Sequence, residues 1–210
     1  MNNLQKEKTV VLNFLKDIDN SPKENLQEVI SNHTSDNFKM LCTHPFNELS
    51  GSIDIANNLW APIKNSFTPI QRRLDIFYAG INSLNENNDV WISSMGHLMG
   101  VFNKEFFGLK PNYKSSLLRF AEFYKVKENK ITEGAFFLDI FNFMQQLGLS
   151  FIPQSTGLIC VTPGPMNHKG LKFEISDDKE SLQTLNLIHR MRDRLVEGCL
   201  LYTSPSPRDP

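Results

Sequence analysis

The acidic side chain best placed to do chemistry is Asp139, in the stretch KSSLLRFAEFYKVKENKITEGAFFLDIFNFMQQLG that runs from Lys114 to Gly148. Two period-two runs meet at Glu128-Asn129, which reads as a hairpin turn. Along the first run Leu118, Phe120, Glu122, Tyr124 and Val126 share a face that is apolar except for one carboxylate. A two-residue turn with unbroken pairing sets Val126 opposite Ile131, Tyr124 opposite Glu133, Glu122 opposite Ala135, Phe120 opposite Phe137 and Leu118 opposite Asp139. Asp139 then stands on the face of Phe120 and Phe137, where loss of water would raise its pKa toward the range of a general acid/base. Its other reading is as a helix N-cap, because Ile140, Phe143, Met144 and Leu147 follow at helical spacing and Gly148 stops the run. The two roles are compatible.

Other side chains are candidates through their place in the pattern. In DVWISSMGHLMGVF, from Asp89, residues Trp91, Ser93, Met95, His97, Met99 and Val101 share a side, and Gly96 and Gly100 bracket His97. Glycine inside a strand marks a bulge or bend, which lets a sheet curl around a cavity. His97 is thus placed to assist Asp139 by hydrogen-bonding a substrate carbonyl, or to be a satisfied half-buried histidine. Met95, Trp60, Phe120 and Phe137 are expected to line the same cavity. His44, held extended by Pro45, reads as a residue of its mouth or as plain loop. Adjacent Arg72 and Arg73 must face opposite ways. Arg73 is taken as the one that lines the cavity, pairing with Glu122 or with an acid group of a substrate. The carboxylates of Glu122 and Asp139 fall about 13 Å apart on this register, too far for a shared-proton pair.

The rest of the chain narrows the chemistry. The five histidines have no zinc-ligand spacing, and neither a phosphate-cradling glycine loop nor a nucleophile elbow is present. Proton transfer without metal or cofactor is the expectation. A net charge of −1 with both signs interspersed gives no footprint for nucleic acid. The apolar runs are too short to span a bilayer, and the N-terminus lacks the pattern of a secretory signal, so a cytoplasmic protein is expected. Cys42, Cys160 and Cys199 lack metal or redox spacing.

The elements that must position these residues follow from periodicity. Val10, Val11, Phe14, Leu15 and Ile18 mark a first helix, and a second follows from about Lys23 to Ser31. Residues 36 to 43 read as a short edge strand. Ser52 is expected to cap a helix with the stripe Ile53, Ala56, Leu59, Trp60 and Ile63, kinked or tightened by Pro62. Strands follow in QRRLDIFYAGI and DVWISSMGHLMGVF, separated by an Asn-rich turn at Asn85 to Asn88, and then comes the hairpin. Residues 149 to 170, with Pro153, Gly157, Pro163, Gly164 and Pro165, read as loop. A last helix spans about Lys179 to Glu197. The sum is an α+β fold in which N-terminal helices pack on a curved, mainly antiparallel sheet around a cone-shaped pocket.

Residues 37 to 148 resemble the SnoaL-like polyketide cyclases of the nuclear-transport-factor-two-like superfamily. The resemblance rests on HPFNELSG, the helix ending around Trp60 to Phe67, QRRLDIFYAG, VWISSMGHLMGVF and above all YKVKENKITEGAFFLDIFNFMQQLG. It implies that Asp139 is the general acid/base of an intramolecular aldol ring closure or an isomerisation on a small hydrophobic, polyketide-like carbonyl compound. One departure is Lys125, where the best-understood members carry a His. A lysine holds an enolate or carboxylate by charge but cannot copy a neutral imidazole near pH 7. The loop PGPMNHKGLKF is similar to the connector of tandem versions.

The expected organisation is helices over 1–35, a SnoaL-like domain over 36–150, a connector over 151–176 and the start of a second, truncated domain over 177–198. The last stretch, 199–210, resembles translated sequencing-adapter read-through. The partners implied are a small hydrophobic ligand and either a second copy, paired through the sheet, or a second domain of the same chain. The competing function on the same fold is a non-catalytic module that binds a hydrophobic ligand or dimerises. A third is hydration or epoxide opening by a water that Asp139 activates.

Overall fold

Period-two burial over four long segments builds one sheet. The computed structural model describes residues 4–82, 87–149, 153 and 163–201. One unit runs from Asn3 to Phe173, and Glu174 to Pro210 fall in a second. In the first, helices α1 (Gln5–Asn20) and α2 (Leu26–His33) precede strands β1 (Thr34–Cys42) and β2 (Glu48–Ser50). Helix α3 (Gly51–Ile55) continues through a π-helical turn, Ala56–Trp60, into α4 (Ala61–Ser66). Strands β3 (Phe67–Ile81), β4 (Val90–Phe102), β5 (Ser115–Lys127) and β6 (Lys130–Leu138) follow, and α5 (Ile140–Gln146) closes the run. The sheet order is β2-β1-β6-β5-β4-β3. Only the β1–β6 pair is parallel among these neighbours, so the α+β expectation holds. Residues 36 to 43 are not an edge: β1 lies between β6 and the three-residue β2.

The core lies between the helices and one face of the sheet. Phe14 of α1 meets the Tyr124 ring edge-on at 5.5 Å, and Trp60 meets Phe136 at 5.6 Å. At the other end Phe143 of α5 packs against Phe67, Phe102 and Phe106. Pro62 has no N–H to return to the preceding turn, and the helix before it widens to π rather than tightening. The N-cap of α3 is Ser50, not Ser52, and its backbone N–H is taken by Asp54 at 2.8 Å.

The two glycines beside His97 bend the sheet as expected, through the neighbouring strand. The β3–β4 register shifts between Leu74 and Ile76 and between Phe67 and Ile70, opposite Gly96 and Gly100. A Cβ on Gly96 would lie 1.9 Å from the Arg73 carbonyl oxygen, and one on Gly100 would lie 2.9 Å from that of Pro69. At both places the β3 backbone fills the space of a side chain.

The hairpin departs from simple alternation. Its turn is the expected one, with Glu128 and Asn129 at positive φ and Val126 opposite Ile131. One step later Lys125 faces Glu133, so Thr132 is an extra residue. Beyond it Glu122 pairs with Phe136, Ala121 with Phe137 and Phe120 with Leu138. A one-residue slip moves every later side chain to the other face. Phe136 and Leu138 therefore point inward, while Phe137 and Asp139 point outward.

Part of the expected loop adds to the sheet. Phe77 of β3 donates its N–H to the Gly170 carbonyl at 2.8 Å and accepts from the Lys172 N–H at 2.7 Å. Asn85, Gly157 and Cys160 lie outside the described residues, as does the tail from residue 202. In the second unit α6 (Asp178–Leu201) carries an exposed stripe of Leu182, Leu185, Ile188, Met191 and Leu195.

Gly96→Ala is expected to lower stability by about 3 kcal/mol through overpacking against backbone. Gly80→Ala, whose Cβ meets nothing within 4 Å, should stay within about 0.5 kcal/mol of the parent. Denaturant unfolding of the two variants checks the contrast.

Candidate functional site

The inner face of the sheet holds a cluster of charge where alternation puts apolar residues. Glu122, fully buried, accepts from three donors. Arg72 Nη1 and Ser94 Oγ both reach Oε1 at 2.7 Å, and the Tyr124 hydroxyl reaches Oε2 at 2.8 Å. Cross-strand pairing explains the set: Ser94 is opposite Glu122, Tyr124 is two residues along the same face, and Arg72 arrives from β3 opposite Leu98. The other edge of the guanidinium meets Asp19 of α1, with Nε 2.9 Å from Oδ2. Its carbon lies 5.3 Å from the Trp60 ring centre and 5.0 Å from that of Phe120. Lys64 donates to the Asp19 and Ser21 carbonyls, closing the C-terminal end of α1.

Burial and pairing set the protonation states here. Burial works against the Arg72 charge, but Glu122 and Asp19 outweigh it and raise its pKa above the ordinary value. The Tyr124 phenol is held well above its usual range, first by burial and then by the Glu122 charge. Lys64 is lowered by burial, with Asp19 acting against that and Arg72 adding to it. Burial also pushes the nearby Cys42 thiol up to about 12.

Of the residues expected around one cavity, Trp60, Phe120 and Glu122 lie together on the inner face. Asp139, His97, Arg73, Met95 and Phe137 do not, because they stand on the outer face. The extra residue at Thr132 sends Asp139 there, and its two oxygens are engaged. Oδ1 accepts the Asn142 N–H at 2.9 Å, as a helix cap, and Oδ2 takes the Arg119 guanidinium. His97, across the strands from Arg73 and Arg119, holds Asp75 Oδ2 at 3.1 Å through Nδ1. Asp75 in turn pairs with Arg73, so Arg72 is the arginine that meets Glu122. Lys125 is also outward, 2.9 Å from both Asp89 and Glu133, which raise its pKa. His44 is exposed on the turn between β1 and β2.

The residues that alternation did not bring forward are Arg72, Ser94, Tyr124 and Asp19. Tyr124 was on the correct face beside Glu122, and Ser94 is the polar residue of β4 opposite to the His97 side. Those two signals would have found the cluster. Asp19 carried none, since nothing in its helix ties it to β3. Among the described residues no group of three or more His, Cys, Asp or Glu could hold a metal ion, and no helix is long and apolar enough to cross a membrane.

No family model matches the chain, and no curated protein matches it. Solved structures do match in shape. One assigned as a polyketide cyclase, from Acidithiobacillus ferrooxidans, superposes with a TM-score of 0.52 at 14% identity, covering 70% of this chain and 98% of that one. One assigned as a SnoaL-like polyketide cyclase, from Jannaschia sp. CCS1, gives 0.51 at 16% identity, over 71% and 94%. A third, from Xanthomonas campestris pv. campestris and assigned as a polyketide cyclase, gives 0.50 at 13% identity, over 70% and 98%. The chain thus shares the fold of these SnoaL-like structures.

Glu122→Gln, which leaves Asp19 as the one charged partner of Arg72 among the described residues, should cost about 3–5 kcal/mol, whereas Glu122→Leu with Arg72→Met should recover most of it. Denaturant unfolding measures both. A raised Tyr124 pKa stabilises the folded state below the unfolded value of about 10, and that stability is lost as pH rises past it. Alkaline unfolding curves should therefore be steeper for the parent than for Tyr124→Phe.

Proposed function

We propose that the chain is a non-catalytic SnoaL-like binding module whose functional centre is the Arg72–Glu122 cluster. The observation that carries this reading is that both candidate carboxylates are already spent. A general base needs a lone pair directed at the proton it takes. Asp139 faces away from the inner cluster, tied to its helix and to Arg119. Glu122 is fully buried and its two oxygens already accept from three donors. What remains on the inner face is an arginine between aromatic rings, which binds rather than transfers protons. The aldol-type cyclase or isomerase reading would need one of these carboxylates freed.

Asp139→Asn tests it. Asparagine caps a helix nearly as well as aspartate, and the Arg119 pair is partly exposed, so the expected loss of stability is at most about 1 kcal/mol. Affinity for a bound small molecule should not change. A proton-transfer activity on a carbonyl compound that this variant abolishes would overturn the reading.

A second copy is the partner this reading gives to the outer face. Tyr78, Ile81, Trp91, Phe123, Ala135 and Phe137 border an open apolar hollow of about 470 Å³, and Phe137, on its β6 side, is 50% exposed. Apolar surface collected on one sheet face marks an interaction site. Light scattering after gel filtration should give a dimer mass for the parent and a monomer mass for Phe137→Lys. A monomeric parent would remove this partner.

A further inference from the structure

Away from the inner cluster, a hollow of about 430 Å³ is lined by Lys23, Asn57, Pro62, Asn65, Glu105 and Phe107, among others. Asn57 stands on the π turn, a feature that recurs at functional sites, and Pro62 and Asn65 stand on α4. Glu105 and Phe107 belong to the connection from β4 to β5, which the end of α4 holds in place. The Ser66 carbonyl accepts the Asn103 N–H at 3.0 Å, and the Ser66 hydroxyl donates to the Glu105 carbonyl at 2.8 Å. Phe106 is buried against Phe67 and Phe143. Its neighbour Phe107 keeps φ at 48°, which bulky residues rarely adopt, and stays 51% exposed. The Glu105 carboxylate and the Asn57 amide take part in no hydrogen bond or ion pair among the described residues. Lys23 has there only its neighbour Glu24, at 3.9 Å and exposed.

We propose that this hollow binds a dipeptide with free ends and an apolar side chain. Charge selects the class. One cation and one anion line the same space without pairing with each other. A ligand with a single charge meets a like charge there as well as an opposite one. A zwitterion whose charges stand a chain apart meets an opposite charge at each end, its ammonium at Glu105 and its carboxylate at Lys23. The peptide group between them both donates and accepts. Asn57 offers a free amide of the same kind, and Asn65, whose oxygen takes Lys104 at 3.2 Å, adds its NH2 donors. Pro62 and the exposed Phe107 ring give the side chain an apolar surface. The hollow shares no residue with the Arg72–Glu122 cluster, so the two sites stand or fall separately.

The test titrates the full chain with glycyl-phenylalanine, with its N-acetyl form, which lacks the ammonium, and with its C-terminal amide, which lacks the carboxylate. The free dipeptide should bind about fivefold tighter than either capped form, the scale set by partly exposed ion pairs. Glu105→Gln should abolish the preference over the acetylated form alone, and Lys23→Gln the preference over the amide alone. Both side chains are exposed, so both variants should fold. The side-chain NH2 resonances of Asn57, assigned by their loss in Asn57→Ala, should shift saturably with the free dipeptide. Equal affinity for the three ligands, or preferences that survive both substitutions, would overturn the proposal. So would unmoved Asn57 resonances at saturating dipeptide, or free phenylalanine binding as tightly as the dipeptide. Activity that depends on Asp139 would sink the binding-module reading and leave this site untouched.

Discussion

An ionised carboxylate with no water around it survives in a protein only if donors are brought to it, and much of this fold is arranged around that requirement at Glu122. Its position on β5 is fixed by alternation. Arg72 must then come from two strands away, Ser94 from the strand between, and Tyr124 from the same strand. Arg72 itself lies inside with Asp19 of α1 on its Nε and two aromatic rings flanking it. One buried charge thus ties the first helix, the π turn that carries Trp60 and three strands into a single constellation. The likeness to polyketide cyclases lies in the shape of the chain. The acidic centre of this one is occupied by its own side chains.

Elements were legible in the sequence wherever one periodicity was clear. The first helix, the two strands around Gly96 and the Glu128-Asn129 turn all fall as the pattern of Val11, Phe14 and Ile18, of Trp91 to Val101, and of the hairpin dictates. The assignment of faces failed on β6, for a specific physical reason. In ITEGAFFLD both alternations carry phenylalanine, so hydrophobicity cannot choose between Phe136 and Phe137, and the extra residue at Thr132 leaves no mark in composition. Everything downstream, Asp139 included, inherits that choice. The same ambiguity exchanged Arg72 and Arg73, adjacent and identical, whose faces are set by bulges in β3 opposite the glycines of β4.

Those bulges and glycines act together. Where β3 presses its backbone into the space over Gly96, Asp75 becomes the extra residue, and the strand changes phase between Arg72 and Phe77 so that both side chains point inward. Without that change of phase Arg72 and Phe77, five residues apart, would face opposite sides. The bend is therefore what lets one strand supply a cation to the inner cluster and an aromatic ring to the core.

The borders of the sheet carry a last consequence. On one side the final strand is β2, three residues long. On the other, β3 is interrupted by two bulges, and around Phe77 its free backbone groups are already bonded to Gly170 and Lys172. Short, twisted or pre-paired margins give a foreign strand little to extend, which is how natural sheets avoid stacking sideways into fibres. This molecule is built to resist lateral polymerisation, so any chain it meets through its sheet must approach broadside.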